Sequence, residues 1–351
     1  VPLILATLLS WASIPLFLKW FVPTIDAWTA NGWRYGISAL FWLPVLGLAW
    51  RRGRLGRGIL LAALVPTLFN TVGQTAFAWC PYFLDPGFFT FVFRVQIVFV
   101  TLGAFLLFPS ERPILRSARF WAGVALVVLG SVGLIVMGER GVSVPQRGWA
   151  IALAVGSGAL FAGYGLSVRY FMHGYPAVYA FGVICQYTAL GVVGLMLVFG
   201  RDVVPGRGMD HGSAVLAFSA FQWFMLVLSS MIGIALSHVS YYAAIQRLGV
   251  SVSMGIVQLQ PVLTATASML LFNERLNALQ WGAGLVGVCG AMLILSYRPS
   301  PPPATPAGAP PAPTPSAGPG EPTAPIDRAA TSAGDEPAVD RGVEEEAATG
   351  S

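Results

Sequence analysis

Apolar residues in this chain fall into long unbroken stretches rather than alternating or one-faced patterns. Such stretches lie at 3–22, 27–50, 58–80, 86–108 and 119–138, and again at 148–168, 176–199, 222–246, 251–273 and 278–297. Each is close to the roughly 20 residues that a helix rising 1.5 Å per residue needs to cross about 30 Å of hydrocarbon. Charge or turn chemistry separates them: Arg51-Arg52-Gly53-Arg54, Pro81, Asp85-Pro86, Pro109, residues 139–147, Gly174, Pro205, Gly249 and Asn277. Residues 214–221 are also apolar, but one helix over 214–246 would be roughly 50 Å long. That segment is therefore expected to approach the eighth span along the membrane surface. The pattern predicts an all-α integral membrane protein with ten transmembrane helices.

Composition narrows the function classes. Of 351 residues, 56% are hydrophobic and 10% charged, against about 25% charged in soluble domains. Such a chain cannot cover its own surface for water, which excludes a soluble enzyme or a nucleic-acid binder as a reading of the whole. Residues 1–298 carry eighteen of the twenty Lys and Arg but seven of the fifteen acids. Residues 299–351 carry two Arg, eight acids and half of the 26 prolines, so they are expected to form a disordered Pro/Ala-rich acidic tail. With a cytoplasmic N-terminus, ten loop arginines fall on the inner side and five on the outer side. This bias predicts both termini inside, in the cell's inner (cytoplasmic) membrane. The first stretch has no basic segment before it and reads as a span rather than a secretory signal. Cys80, Cys185 and Cys289 show no metal or redox spacing and read as packing residues, so no cofactor or metal is expected.

The chain also repeats itself. Leu106-Leu107-Phe108-Pro-Ser-Glu111-Arg112 recurs as Leu270-Leu271-Phe272-Asn-Glu274-Arg275. At an offset of 164, Arg94 pairs with Gln258, Gln96 with Gln260, Val98 with Val262 and Gln74 with His238. Further on, Trp121 and Gly130 pair with Trp281 and Gly290. Two five-span halves, 1–138 and 148–298, necessarily run in opposite senses, which predicts an inverted-topology repeat.

With Trp11 in span one, Lys19 at its outer end, Arg34 in span two and a Glu-Arg after spans four and nine, the chain resembles the drug/metabolite transporter superfamily, built from two EamA-type repeats. Span nine carries the family's helix proline as Pro261, whereas span four has Ile97 there. The resemblance implies a carrier of small metabolites that uses neither a bound cofactor nor ATP.

Ionisable groups inside spans are costly and tend to face a wet cavity or a partner. Arg34, Arg94 and His238 qualify, and every Asp or Glu of 1–298 sits at a span end or in a loop. Arg34 and Arg94 lie at similar depth, and a guanidinium fork suits carboxylate or phosphate. Arg34 alternatively caps backbone carbonyls or snorkels to the interface. Arg94 and Gln96 are about 200° apart on a helix and cannot both face one cavity. Thr67, Asn70, Thr71 and Gln74 stripe span three, and Ser230, Gly233, Ser237, His238 and Tyr241 stripe span eight; such stripes either line a cavity or bond between helices. Tyr241 or Tyr242 is the expected partner of His238. The candidate substrate-binding set is thus Arg94, Arg34, Gln74, His238, Gln258, Asn70 and Tyr241, with no catalytic residue. Glycines 123, 130 and 133 in span five and 282, 284, 287 and 290 in span ten allow close helix packing, within the chain or against a second copy.

A cation exporter needs an intramembrane anion, and the spans offer none. The expected activity is therefore secondary transport of a small neutral or anionic metabolite, of the amino-acid or organic-acid class, by alternating access. The expected partners are that small molecule and the lipid bilayer. A membrane enzyme on a lipid-linked substrate would need clustered acids, histidines or a nucleophile pair, yet His173 and His211 fall on opposite sides in this topology. A membrane sensor signalling through its tail is the third reading.

Overall fold

The computed structural model describes residues 2–109, 116–137, 144–203, 208–248 and 256–296; the side chains of 144–147, 242 and 245–248 also fall outside that description. The predicted tail, Glu111, Arg112 and the start of the ninth span lie outside the described residues.

Among these residues ten long helical segments follow one another: α1 (Pro2–Phe21), α2 (Ala27–Arg51), α3 (Arg57–Phe83), α4 (Pro86–Leu107), α5 (Ala118–Val136), α6 (Val144–Phe171), α7 (Ala177–Phe199), α8 (220–248), α9 (Gln260–Phe272) and α10 (Ala278–Leu295). Eight have both the length and the hydropathy to cross a membrane; α9 is shorter, and α2 is enriched in polar residues that it buries. Every span expected from the apolar stretches is thus represented. Pro81 does not end α3, which runs on to Phe83. The approach to α8 is a 3₁₀ turn, Ser213–Ala217, whose Val215 is fully buried. α8 then opens on a reciprocal cap between Ser219 and Gln222.

Hydrocarbon solvates apolar side chains and cannot solvate polar ones, so the bundle is apolar outside and draws its polar side chains inward among an apolar core. Leu40, Leu106, Leu190 and Leu270 face outward, each more than two-thirds exposed, while Asn31, Arg34, Ser38, Asn70, Arg94, Thr188, Gln258 and Thr264 are buried. Buried hydroxyls are commonly satisfied by a carbonyl of their own helix, as Thr90 by Pro86, Thr101 by Ile97 and Ser237 by Gly233.

The two halves interleave. α1 packs against α8 and α9 of the second half, and α6, its counterpart, packs against α3 and α4 of the first. α2 lies on α7 and α5 on α10, so these helices meet their own repeat mates. The α5–α10 contact shows the symmetry atom by atom. A β-carbon on Gly130 would sit 2.5 Å from the Gly287 nitrogen and 2.6 Å from the Ala283 oxygen. One on Gly290 would sit 2.7 Å from the Val127 nitrogen and 2.7 Å from the Gly123 oxygen. Each contact is the repeat image of the other, and the pairing is antiparallel. Gly123, Gly130 and Gly133 of one stripe and Gly287 and Gly290 of the other are used at this crossing within the chain, whereas Gly284 packs on Phe91 of α4.

A side chain at Gly130 meets backbone that cannot yield. Gly130→Val should therefore destabilise the protein by about 1–3 kcal/mol, read as an earlier thermal midpoint in detergent. Gly282→Ala meets nothing within 4 Å and, alanine being the better helix former, should hold or slightly raise the midpoint.

Candidate functional site

Two helices are interrupted at matching repeat positions. α4 consists of Pro86–Phe93 and Gln96–Leu107, with a turn at Arg94-Val95. Around it the bonding tightens to three-residue spacing: Arg94 N to Phe91 O at 3.1 Å, Val95 N to Val92 O at 3.2 Å, and Ile97 N to Arg94 O at 3.1 Å. In the ninth span a turn at Gln258-Leu259 precedes α9, with Leu259 N bonded to Ile256 O at 3.1 Å. Such tightened turns inside a helix mark hinges and functional sites.

The two turns face each other. Arg94 Nη1 donates to Gln258 Oε1 at 3.3 Å, and Nη2 donates to Gln260 Oε1. Gln260 Nε2 in turn donates to the Trp11 carbonyl at 3.0 Å. A residue bonded to its own repeat mate must lie near the axis relating the two halves, so Arg94–Gln258 marks that axis. Arg94 is a buried cation held by neutral amide oxygens, and its Nε has no hydrogen-bond partner among the described residues.

Gln260 is a site residue that periodicity does not reveal. Two positions apart on a regular helix, Gln258 and Gln260 would point about 200° away from each other. The turn at 258–259 changes their relative direction and lets both reach one guanidinium. The signal available in the sequence is the match of Gln260 with Gln96. Gln96 itself faces elsewhere, packing on Gly158 of α6, so Arg94 and Gln96 do diverge.

Arg34 forms a second centre. It is buried in α2, with Nε donating to Ser229 Oγ at 3.2 Å and Nη2 without a hydrogen-bond partner among the described residues. A β-carbon on Gly233 would lie 3.0 Å from that Nη2. Gly233 belongs to a π-helical stretch, Met231–Leu236, that widens α8 beside the guanidinium. Such bulges are frequent at functional sites.

His238 and Tyr241 meet through Trp11. The Trp11 ring lies 5.7 Å from His238 and 4.8 Å from Tyr241, and the imidazole stacks on Phe181 at 4.6 Å. His238 Nδ1 is 3.2 Å from the Ile234 carbonyl and 3.3 Å from Ser237 Oγ. Tyr242's side chain lies outside the described residues. Asn70 and Gln74 make a third group: Asn70 Nδ2 donates to Thr188 Oγ1 at 2.9 Å and reaches Tyr35 Oη at 3.5 Å, and Gln74 shares the same phenol. Two members of the span-three stripe, Asn70 and Gln74, therefore bond between helices. The structure thus joins Arg94 directly to Gln258, and connects that pair to His238 and Tyr241 through Gln260 and Trp11. Asn70 and Gln74 lie in a separate contact group, linked to Arg34 through Tyr35.

Fold and site define a multi-pass helical membrane protein of two interleaved halves with a polar centre where its interrupted helices cross. The model of the EamA-like transporter family matches residues 1–136 and 148–296, and the chain belongs to that family. No curated protein matches the chain. A solved crystal structure, described only as that of a protein, superposes with a TM-score of 0.53 at 14% identity, covering 84% of this chain and 96% of its own. At that identity the likeness concerns the fold alone.

The stacking of His238 on Phe181 makes a distinct prediction. His238→Phe keeps a ring on Phe181 and should hold the thermal midpoint. His238→Ala loses the stack and should lower it by about 1–2 °C, as expected for roughly 1 kcal/mol in a chain of this size. Equal losses in both variants would assign the contribution to the imidazole nitrogen instead.

Proposed function

We propose that the protein is a secondary transporter of a small neutral or anionic metabolite, of the amino-acid or organic-acid class. It works by alternating access around the crossing of α4 with the ninth span. The observation that carries this reading is the pair of interrupted helices whose repeat-related turns meet at Arg94 and Gln258. Carriers built from inverted repeats place substrate at such discontinuities near the midplane.

The charge of the centre selects the cargo. Arg94 and Arg34 are buried, and all described carboxylates, Asp26, Asp85, Asp202, Asp210 and Glu274, lie outside the helices. A cationic cargo would find no counter-charge among the described residues of the spans. A carboxylate or phosphate would find two guanidinium groups bonded to neutral oxygens. Charge-assisted bonds are roughly twice as strong as neutral ones, so an arriving anion displaces Gln258 and Gln260 from Arg94. Released, Gln260 no longer links Arg94 to the Trp11 carbonyl, which passes the binding event to α1. Gln74, Asn70, His238 and Tyr241 complete the polar lining as the helices part.

The basic loops support an inner-membrane placement with both termini cytoplasmic. Membership of a transporter family and the scattered histidines, with His173 and His211 at separate loop positions, favour transport over enzymatic chemistry. The matches to 1–136 and 148–296 support the division into two repeats.

The test is uptake of amino acids, organic acids and sugar phosphates by purified protein in liposomes. Arg94→Gln, which restores the residue type of its mate, should reduce anion uptake at least about tenfold, the scale of one lost charge-assisted bond, with folding retained. Unchanged uptake would remove Arg94 from the site. Proton-dependent transport of quaternary ammonium compounds would overturn the cargo class.

A further inference from the structure

The end of the bundle where α1 and α9 finish carries an ion-paired group that the transport reading does not use. Lys19 Nζ lies 3.2 Å from Glu274 Oε1 and 3.5 Å from Asp85 Oδ1. These residues come from three places: the last turn of α1, the start of α4 and the segment after α9. Asp85 occupies the N-cap position of α4 but makes no side-chain cap there; its carboxylate is turned to the lysine. Ser268 of α9 donates to Glu274. The helices themselves touch at this end, for a β-carbon on Gly87 would lie 2.9 Å from Ala265 Cα. The space left among Asp85, Phe88, Ser268, Glu274 and Arg275 is about 10 Å³, at most a single water. The end is shut.

One cation faces two carboxylates in this closure. Lys19 supplies the ion pairs here among the described residues; Arg275 lines the same small cavity, and Ser268 is the polar group offered by α9. Glu274 is the more enclosed acid, its side chain 12% exposed against 54% for Asp85. Arg275 makes no ion pair with either acid among the described residues, so with both ionised the ion-paired group of Lys19, Asp85 and Glu274 carries a net negative charge next to apolar packing. With Glu274 neutral, Lys19 and Asp85 balance.

We infer that Glu274 takes up a proton as this end of the bundle closes, so that acid holds the end shut and base lets it part. Burial pushes Glu274 up to about 7, with the Asp85 charge acting the same way and Ser268 and Lys19 opposing. Parting the helices admits water and returns the carboxyl to the ordinary glutamate range, so the closed form binds the proton more tightly. By linkage, protonation then stabilises closure below about pH 7, and that stabilisation is lost as pH rises through it. The second half offers a parallel at the other end of the fold. Arg169, two residues from the end of α6 as Lys19 is from the end of α1, sits 4.0 Å over the ring of Phe108, the repeat mate of Phe272. A cation closing the end of each repeat's fourth helix is thus a feature of both halves. In the orientation proposed above the Lys19 end is the outer one, and that assignment alone rests on the transport reading.

The test is amide exchange by mass spectrometry on the full chain in nanodiscs, at about pH 6 and pH 8, with no cargo present. After correction for the intrinsic rate, protection of 86–93 and 260–272 in the wild type should fall roughly tenfold between the two. Glu274→Gln, neutral at both, should keep the acid-form protection throughout. Identical pH profiles for the two proteins would overturn the inference. If Glu274→Gln does not fold, Asp85→Asn serves: removing the neighbouring charge should move the loss of protection to lower pH, and an unmoved transition counts against the proposal. Because the readout needs no substrate, its failure leaves the Arg94 reading standing, and failure of the transport assay leaves this one standing.

Discussion

A guanidinium held inside hydrocarbon by two glutamine side chains is the interaction on which this structure turns. Arg94 cannot be solvated by lipid and has no carboxylate beside it among the described residues, so the fold must bring oxygen atoms to it from another helix. Those oxygens come from Gln258 and Gln260, which reach the same point because the ninth span is interrupted between them. α4 is interrupted at Arg94 itself. The two irregular turns therefore require each other: either alone would leave buried polar groups without partners, at about 1–3 kcal/mol each. Trp11 joins through its backbone, so α1 is tied to the same centre.

The interleaving of the halves follows from the same need. If each half packed only on itself, its polar positions would face lipid. With α1 lodged against α8 and α9, and α6 against α3 and α4, the polar faces of both halves meet and the apolar faces turn outward. The glycine-lined crossing of α5 and α10 lets backbones come into direct contact at the periphery. The centre is held by polar bonds and the flank by van der Waals packing.

Much of the architecture was legible before any coordinate. Span positions agree closely because a helix in hydrocarbon must be both long and apolar, and that constraint is local. The pairing of Arg94 with Gln258 was likewise visible as a repeat match, since symmetry-related positions near an axis are brought together by the symmetry. Other features escaped. Gln260 was hidden because its direction depends on a turn that periodicity assumes away. The π-helical stretch at Met231–Leu236 leaves no mark in the residue types around it. Pro81 signals a stop, yet the helix continues one more turn and loses only a single backbone bond there.

Residue types along the chain fixed which segments enter the membrane, which of them are repeats, and which charges stay inside them, because each of these depends on the free energy of placing one side chain in one solvent. What those charges do was settled by packing. Whether Arg94 meets an amide or empties into a cavity, whether Asn70 bonds to Thr188, and whether Lys19 meets one acid or two all depend on residues tens to hundreds of positions away. Such contacts are properties of helices in assembly, and no single span contains them.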